Sequence, residues 1–336
     1  MRWFDLMPKV LPLLIALGPG EARAVDDAGP AKGKTTKREA KTAIKTAGVR
    51  HRPDFPVMGL VGLAGDRFII WNGAGQMQVG SATGEWAKGF RLPISQIGDV
   101  VADGVDFLVD GSVREHVSAV LLVNVEGREL ARWTMADLVY GLVVDARGRW
   151  ASTRAGLIPL LEGGALGTPE PLTGSGPSPY GDPPKPIRAD GGAMVTCRPR
   201  DLSMQHGAPG RCDRSGPREW HLRGDFFLPV ACGDWLVAVE GARPWQLVVY
   251  SLATGKRAMK RPDPVDAVVA CADPGDVLVG DRRLSLLRLP EGKPVWTARL
   301  AGAPITQLAV TENAVAYRAD DSPDIVIIPR PRERSR

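Results

Sequence analysis

The sequence is poor in the residues from which metal and catalytic sites are commonly built. It has four histidines and four cysteines in 336 residues, and the patterns His-x-Glu, His-Glu-x-x-His and Cys-x-x-Cys are all absent. His116, His206 and His221 stand at no spacing from another ligand that would make a metal site. No Gly-x-Ser-x-Gly occurs either. We therefore expect neither a histidine-based metal site nor a serine nucleophile.

Long apolar runs are also missing beyond the first 24 residues. Residues 1–24 have a basic start, an apolar stretch from Val10 to Leu17 and small residues before Ala24, which is the layout of a secretory signal peptide. The apolar stretch is shorter than the roughly 20 residues of a spanning helix. We predict cleavage after Ala24 and a periplasmic or extracellular protein, with an uncleaved N-terminal anchor as the alternative.

Positive charge is concentrated towards the two ends. The net charge is +5, with eight Lys and Arg against Glu39 between residues 31 and 52, and four Arg against Glu333 between residues 329 and 336. Residues 53–328 carry 28 basic and 32 acidic side chains. We predict a basic disordered linker at residues 25–52 and a basic tail at residues 329–336, because neither has an apolar face to bury.

The linker could touch a membrane surface or another anionic partner by diffuse attraction. A solvated spacer is the alternative. Nucleic acid is not an expected partner of an exported chain.

Sustained helical periodicity is missing after the linker, whereas short β-rich runs separated by Gly, Pro and Asp turns are frequent. One phrase recurs seven times: an apolar run, a turn with Gly, Asp or Asn, and a second apolar run. The steps between these turns are about 37 to 44 residues, close to the length of a propeller blade. The turns are Gly65-Asp66, Asp103-Gly104, Arg147-Gly148, Gly191-Gly192, Gly233-Asp234, Gly275-Asp276 and Glu312-Asn313.

A second recurring turn contains Gly84, Gly127, Gly163, Gly255 or Gly292. Each is predicted to join a third strand to a fourth, where a tight turn needs a residue that tolerates positive φ. Trp86, Trp133 and Trp296 follow three of these turns. We expect them to pack between blades, with an exposed sugar-stacking platform as the alternative.

The repeats resemble those of known propellers. Asp276–Gly280, Leu284–Leu289, Gly292-Lys293 and Val295-Trp296 resemble the repeat of PQQ-like, quinoprotein-type propellers, and the chain as a whole resembles the PQQ-like and WD40-like superfamily. The resemblance implies an all-β fold: a seven-bladed β-propeller of four-stranded antiparallel blades at residues 53–328. A quinone cofactor is not expected, because no vicinal cysteine pair or ligand cluster is present.

The last repeat, Ile305 to Ile328, has only three predicted strands. An open ring would expose strand edges. We therefore predict that the segment around Gly48 to Pro53 supplies the missing outer strand and ties the last blade to the first.

Four cysteines in an exported chain permit disulfides. Cys197 and Cys212 bracket a Gly/Pro-rich excursion and are the predicted pair. Cys232 and Cys271 occupy matching positions in successive repeats, where they either bridge neighbouring blades or remain buried thiols.

The candidate site is the face that carries the loops between second and third strands. Guanidinium groups on this face suit carboxylates and phosphates, which favours an anionic ligand or an acidic protein surface. Ordinary solvated loop charge is the alternative. The connection from Gly163 to Pro186 thickens the same sector. The candidate residues are Arg114, Arg154, Arg198, Arg200, Arg211, Arg214, Arg243 and Arg282, and Arg283 shares the rim.

The preferred function is an exported, non-catalytic, monomeric propeller without a cofactor, which binds a protein, peptide or glycan through the loops of blades three to five. The alternative is a propeller enzyme, either a quinone-dependent oxidoreductase or a carbohydrate-active hydrolase or lyase. A structural subunit of an envelope complex is a third possibility. An enzyme would need carboxylates that converge near the channel mouth, and the candidates are Asp110, Glu115, Asp201, Asp213, Glu240 and Asp281.

Overall fold

The structure is a computed structural model. It describes residues 48–115, 117–171, 185–190, 193–198, 210–215, 218–224, 226–241, 246–264, 268–280, 283–300, 303–320 and 322–330. They lie within one compact unit, Ala43–Arg336. The predicted signal peptide and the linker before Gly48 lie outside the described residues.

The described chain is built of short strands. In chain order they are β1 (Val49–His51), β2 (Gly59–Leu63), β3 (Arg67–Trp71), β4 (Gln76–Ser81), β5 (Phe90–Arg91), β6 (Val100–Asp103), β7 (Asp106–Arg114), β8 (Val117–Val123), β9 (Glu129–Met135), β10 (Gly141–Asp145), β11 (Gly148–Thr153), β12 (Gly156–Pro159), β13 (Lys185–Asp190), β14 (Ala193–Arg198), β15 (Gly210–Ser215), β16 (Trp220–Gly224), β17 (Phe226–Cys232), β18 (Trp235–Glu240), β19 (Gln246–Ser251), β20 (Arg257–Pro264), β21 (Val268–Asp273), β22 (Asp276–Gly280), β23 (Arg283–Arg288), β24 (Lys293–Arg299), β25 (Ile305–Val310), β26 (Ala314–Ala319) and β27 (Ile325–Pro329). A 3-10 turn spans Glu162–Gly164.

These strands form seven antiparallel sheets, which are the blades. Blades 1 to 6 are β2–β5, β6–β9, β10–β12, β13–β16, β17–β20 and β21–β24, and blade 7 has the order β1-β27-β26-β25. The first strand of each blade contacts the first strand of the next, and β25 of blade 7 contacts β2 of blade 1. The seven sheets therefore surround one axis, which confirms the predicted seven-bladed propeller.

Apolar side chains fill the seams, by which we mean the interfaces between adjacent blades. Successive residues of a strand point to opposite faces, and the inner strands of a blade are covered on both faces, so these strands are apolar almost throughout. In β8, the residues from Ser118 to Val123 are all buried. Phe68 of blade 1 faces blade 7, while Ile69 faces blade 2. Such burial is worth about 25 cal/mol per Å² of apolar surface, so the seams are the hydrophobic core of the ring.

Blade 7 is completed by the segment that precedes blade 1. Val49 pairs with Ile327 and His51 with Ile325. The imidazole of His51 stacks on Trp86 of blade 1, with ring centroids 4.1 Å apart, and Arg52 Nε lies 2.8 Å from Asp324 Oδ1. The predicted closing strand is therefore confirmed, and residues 49–51, which the predicted linker included, belong to blade 7.

The second recurring turn has the predicted backbone. Gly84, Gly127, Gly163, Gly255 and Gly292 all have positive φ. At four of these turns, all but that of Gly163, a side chain would also strike the preceding blade: a Cβ at Gly127 would come within 2.5 Å of the Phe90 ring, and one at Gly255 within 2.8 Å of Trp220. Glycine is therefore needed for backbone conformation and for close packing.

Tryptophans at the outer edges of the blades seal several seams, three of them in fourth strands and Trp86 just before β5. Trp133 is 1% exposed, and its indole Nε1 donates to Leu161 O of blade 3 at 2.7 Å. Trp220 makes the equivalent bond to Leu252 O of blade 5. Trp86 packs against the core between blades 7 and 1, and Trp296 against the core between blades 6 and 7. The predicted packing role of Trp86, Trp133 and Trp296 is confirmed.

Blade 3 departs from the predicted four strands, because its sheet contains only β10, β11 and β12. The segment 166–170 runs along the outer edge instead, through isolated bridges from Leu160 to Leu166 and from Leu157 to Glu170. Pro169 and Pro171 have no N–H to donate, so this segment cannot form a full ladder. The expectation of seven equal four-stranded blades is wrong at this blade.

Both pairs of cysteines are joined, and none of the four is free. Cys197 and Cys212 face each other on β14 and β15, so the predicted pair is confirmed. Cys232 and Cys271 join β17 of blade 5 to β21 of blade 6. The second pair, which the sequence left open, is thus an inter-blade bridge.

Candidate functional site

The ring has two unlike faces. One carries the connections between second and third strands together with those from one blade to the next, and we call it the loop face. The other carries the connections from first to second and from third to fourth strands, and we call it the turn face. Contacts between adjacent connections support the assignment: Gln96 N donates to Gly73 O, and Asp320 N donates to Pro304 O, within the loop face.

The longest connections belong to the loop face of blades 3 and 4. Residues 171–184 lie between the edge segment of blade 3 and β13, and residues 199–209 separate β14 from β15. On the turn face, by contrast, β6 and β7 are separated only by residues 104–105, and β21 and β22 only by residues 274–275. Other connections of the loop face are as short, such as residues 154–155 between β11 and β12, so the long connections are a feature of blades 3 and 4 and not of the whole face.

Two of the predicted site residues lie exposed on the loop face. Arg114 is the last residue of β7. Arg154 lies between β11 and β12, where its Nε donates to the Tyr140 hydroxyl at 3.1 Å and its backbone N to Asp137 Oδ2 at 3.0 Å. These bonds hold Arg154 against the connection between blades 2 and 3.

The other predicted arginines have different positions. Arg198 ends β14 and is paired in register with Arg211 of β15. Arg214 Nη1 donates to Arg218 O, in the connection between β15 and β16, which belongs to the turn face. Arg283 begins β23 and is exposed. Arg200, Arg243 and Arg282 lie outside the described residues, as do Asp201, Asp281, His116 and His206.

A polar cluster lies on the side of blade 4 that faces blade 3. Cys197, Cys212 and Trp220 pack towards blade 5, so the alternating residues of these strands point towards blade 3. Among them, Asp213 has a side chain that is 6% exposed. Its carboxylate lies 2.6 Å from Arg211 Nε and 2.7 Å from His221 Nδ1. A buried carboxylate requires such partners, because an unpaired charge there would be costly.

This cluster makes the seam between blades 3 and 4 unlike the rest. In the part of the chain that the structure describes, each of the other six seams has an apolar cluster drawn from both blades. At this seam the apolar group, Val143, Trp150 and Leu157, comes from blade 3 alone. Blade 4 presents Asp213 and its partners instead. Polar groups and long connections therefore coincide in one sector of the ring.

The carboxylates that an enzyme would require are engaged in structural contacts where the structure describes them. Asp110 Oδ1 accepts from Asp99 N at 2.5 Å, which anchors the connection between blades 1 and 2. Glu240 accepts from the Tyr250 hydroxyl at 3.4 Å and lies 3.5 Å from Lys260 Nζ. Burial, reinforced by Glu240, raises the pKa of Tyr250 to about 12. Within the described ranges no group of three His, Cys, Asp or Glu side chains is placed to bind a metal ion.

Sequence reasoning missed the contact between His221 and Asp213. A signal was available, since Gly216-Pro217 marks a turn, and a hairpin centred on Pro217 places residue 213 opposite residue 221. The observed register has this pairing. The stack of His51 on Trp86 had no such signal, because it joins separate parts of the chain.

No family model matches the chain, and no curated protein matches its sequence. Among solved structures, BamB from Moraxella catarrhalis is 13% identical with a TM-score of 0.51, and the match covers 84% of this chain and 98% of that one. The β-propeller domain of Cps50 (Swd1) from Myceliophteria thermophila is 12% identical with a TM-score of 0.59, over 84% of this chain and 99% of that one.

At these identities the likeness shows the fold alone. None of the helices within the described ranges has the length and apolar character of a membrane span. The order of the blades, the closing strand and the structural matches all indicate a β-propeller. The chain is a seven-bladed β-propeller that resembles BamB, of the PQQ-like type, and WD40-like propellers.

Proposed function

We propose that this protein is an exported, non-catalytic propeller that binds a protein, peptide or glycan partner through the loop face of blades 3 to 5. The observation that carries the proposal is the coincidence of the two longest connections with the polar seam between blades 3 and 4. Propellers are scaffolds whose function depends on loops, and here the loop variation is concentrated in one sector.

The chemistry of this sector suits an anionic group. Arg211 meets Asp213 through Nε, and among the described residues its η nitrogens make no hydrogen bond. His221, the second residue of β16, lies towards the turn face, so Arg211 at the loop-face end of β15 is the member of this cluster that a loop-face ligand would meet. Arg154 adds a guanidinium on the loop face of blade 3. Planar guanidinium groups bind carboxylates and phosphates through paired hydrogen bonds.

Export is supported by two disulfides, which persist in oxidising compartments, and by the signal-peptide layout of residues 1–24. The lack of catalysis is supported by Asp110 and Glu240, which are held in contacts that serve the fold. We expect a monomer, because the closing strand leaves the ring complete within one chain.

A hydrolase is the second candidate, and one observation favours it. A carboxylate that holds a histidine through Nδ1 leaves Nε2 oriented as a general base, and Asp213 holds His221 in this way. A His221→Ala variant that retained full activity on any hydrolysed glycan or ester would exclude this role.

The proposed function is tested by affinity capture from the native envelope with three forms of the mature chain. One form is unchanged. In the second, residues 199–209 are replaced by Asn-Gly, a turn that suits antiparallel strands, so that β14, β15 and the disulfide between them remain. The third is a matched control, Arg67→Gln, which removes a charge from an exposed position at the turn-face end of β3.

We expect the same partners with the unchanged form and the control, and their loss with the loop replacement. Mass analysis of the unreduced protein checks that Cys197 and Cys212 remain joined in that variant. Equal recovery of all partners by the three forms would contradict the proposed site.

A further inference from the structure

The outer strand of blade 5 offers a long free edge. This strand, β20, spans Arg257–Pro264, whereas the outer strand of blade 1 has only two residues. It ends the order of its sheet, so no strand of the described chain pairs with its outer edge. Pro262 and Pro264 have no N–H to donate. The part of the edge that can accept a further strand therefore runs from Arg257 to Arg261.

This part of the edge is strongly basic. Residues 256–261 contain four basic residues and no acidic one. The four are Lys256, Arg257, Lys260 and Arg261, and the first three are exposed. One carboxylate lies beside them: Glu240 Oε2 is 3.5 Å from Lys260 Nζ, and the Lys260 side chain is still 41% exposed. The acidic residue that β20 itself contains, Asp263, follows Pro262 and lies beyond the part that can pair.

The outer strands on either side have the same sign of charge. In blade 4, β16 carries the exposed Arg223 and no acidic residue. In blade 6, β24 carries the exposed Lys293 and no acidic residue. In blade 2, by contrast, Glu129 neutralises Arg132 on the outer strand β9. The positive rim is therefore a property of blades 4 to 6, with β20 at its centre.

Cations occupy both faces of β20. Arg257 is paired with Tyr250, and Lys260 with Val248. Because Tyr250 and Val248 pack towards blade 4, and residues that pair across two strands share a face, Arg257 and Lys260 lie on that face. Arg261 follows Lys260 and lies on the opposite face. A strand added to this edge would therefore find positive charge on either side.

We propose that an extended, acidic segment of a partner protein adds to the outer edge of β20 as a further strand. In strand addition, backbone hydrogen bonds give affinity and side chains give specificity. Opposite charges across two strands attract, whereas like charges repel. The basic edge thus opposes pairing between copies of this chain and favours an acidic partner. The inference does not depend on the proposed function, because it uses no connection of the loop face.

Fluorescence anisotropy with labelled peptides tests the proposal on the chain from Val25 to Arg336. The acidic probe alternates Glu and Val, and two matched probes carry Lys in place of each Glu or Pro in place of the middle Val. We expect the acidic probe to bind, more weakly as the salt concentration rises, and the lysine probe not to bind. The proline probe keeps the charge but loses backbone hydrogen bonds, so it should bind about fivefold more weakly.

Variants of the ring locate the binding surface. Neutralising Lys256, Arg257 and Lys260 together to Gln should weaken binding of the acidic probe about tenfold, because each cross-strand pair of opposite charge contributes up to about fivefold. The matched control, which should bind as the unchanged chain does, removes three exposed charges from blade 1 by Arg67→Gln, Lys88→Gln and Arg91→Gln. Every form keeps the basic residues 31–47, so a difference between forms comes from the ring.

Hydrogen exchange of the unchanged chain reads the position of the probe. Amides between Arg257 and Arg261 should gain protection when the acidic probe binds, while those of β5 should not. Equal binding of the acidic and proline probes, full binding by the Gln variant of β20, or protection confined to other strands would each overturn the proposal. Binding of phosphatidylglycerol vesicles through the same three residues, without binding of the acidic probe, would assign the edge to a lipid surface and would also overturn it.

Replacement of residues 199–209 by Asn-Gly separates this proposal from the proposed function. That variant should bind the acidic probe as the unchanged chain does. Loss of probe binding in it would show that the acidic segment contacts the loop face and would contradict the assignment to β20.

Discussion

Removal of the closing strand should destabilise the whole ring. Two forms of the protein are compared, one beginning at Gly48 and one at Pro53, so that both lack the linker and only the second lacks β1. The lost interactions are the ladder with β27, the stack of His51 on Trp86 and the ion pair of Arg52 with Asp324. Each is local to the junction between blades 7 and 1.

The magnitude follows from these contacts. Each ladder hydrogen bond contributes about 0.5–1.5 kcal/mol, and the aromatic stack about 0.5–1.5 kcal/mol. The ion pair adds less than about 1 kcal/mol, because the Arg52 side chain is 72% exposed. The sum is about 2–4 kcal/mol, which lowers the melting temperature by about 5–10 °C in a domain of this size.

Differential scanning calorimetry of the two forms measures the effect. The form beginning at Gly48 should melt as the full mature chain does. The form beginning at Pro53 should melt at a lower temperature and aggregate more readily, because β27 becomes an exposed edge. Equal melting temperatures for the two truncated forms would refute the closing role of β1.

Three further predictions concern stability. Replacing both Cys232 and Cys271 by Ala should lower the free energy of unfolding by up to about 4 kcal/mol, since the bridge closes a 39-residue loop between blades 5 and 6; an unchanged urea midpoint would argue against the bridge. Trp133→Phe keeps most of the apolar area but loses the hydrogen bond to Leu161 O, so it should lower the free energy of unfolding by about 1–3 kcal/mol. The control, Trp296→Phe, should lower it by less. The pKa of Tyr250 is raised to about 12. The neutral Tyr250 hydroxyl therefore stabilises the folded state fully below about pH 10, and this stabilisation is lost as the pH rises towards 12. Between about pH 9 and pH 11.5, the free energy of unfolding should therefore fall by about 2 kcal/mol less in Tyr250→Phe than in the unchanged protein. An equal fall in both proteins would contradict the raised pKa of Tyr250.

The ring could be predicted from the sequence because a propeller repeats its local signals. Turn glycines such as Gly127 and Gly255 are required by positive φ and by the blade beside them. Even the closing strand followed from counting, since the last repeat lacked a strand. The three-stranded sheet of blade 3 could not be predicted in this way. Its turn at Gly163 resembles the other turns, but Pro169 and Pro171 prevent the fourth strand that should follow it.

The candidate site was less accessible to such reasoning. Arg114 and Arg154 could be placed on the loop face, since the ends of strands follow from the repeat. Asp213 was considered only as a carboxylate near the channel mouth, whereas it is buried against Arg211 and His221 in a seam. The face of a strand on which a polar residue lies depends on the register of the strand. A difference of one residue in the length of a loop moves that residue to the opposite face. Contacts such as that of Arg330 with blade 6 depend on tertiary packing and leave no local pattern.

An experimentally determined structure of the mature protein tests the central claim most directly. The account predicts seven radial sheets around one axis, with Val49 paired to Ile327 at the outer edge of the last blade and Cys232 joined to Cys271 across a seam. A ring with another number of blades, a two-layer sandwich, or a last blade left with three strands would contradict it.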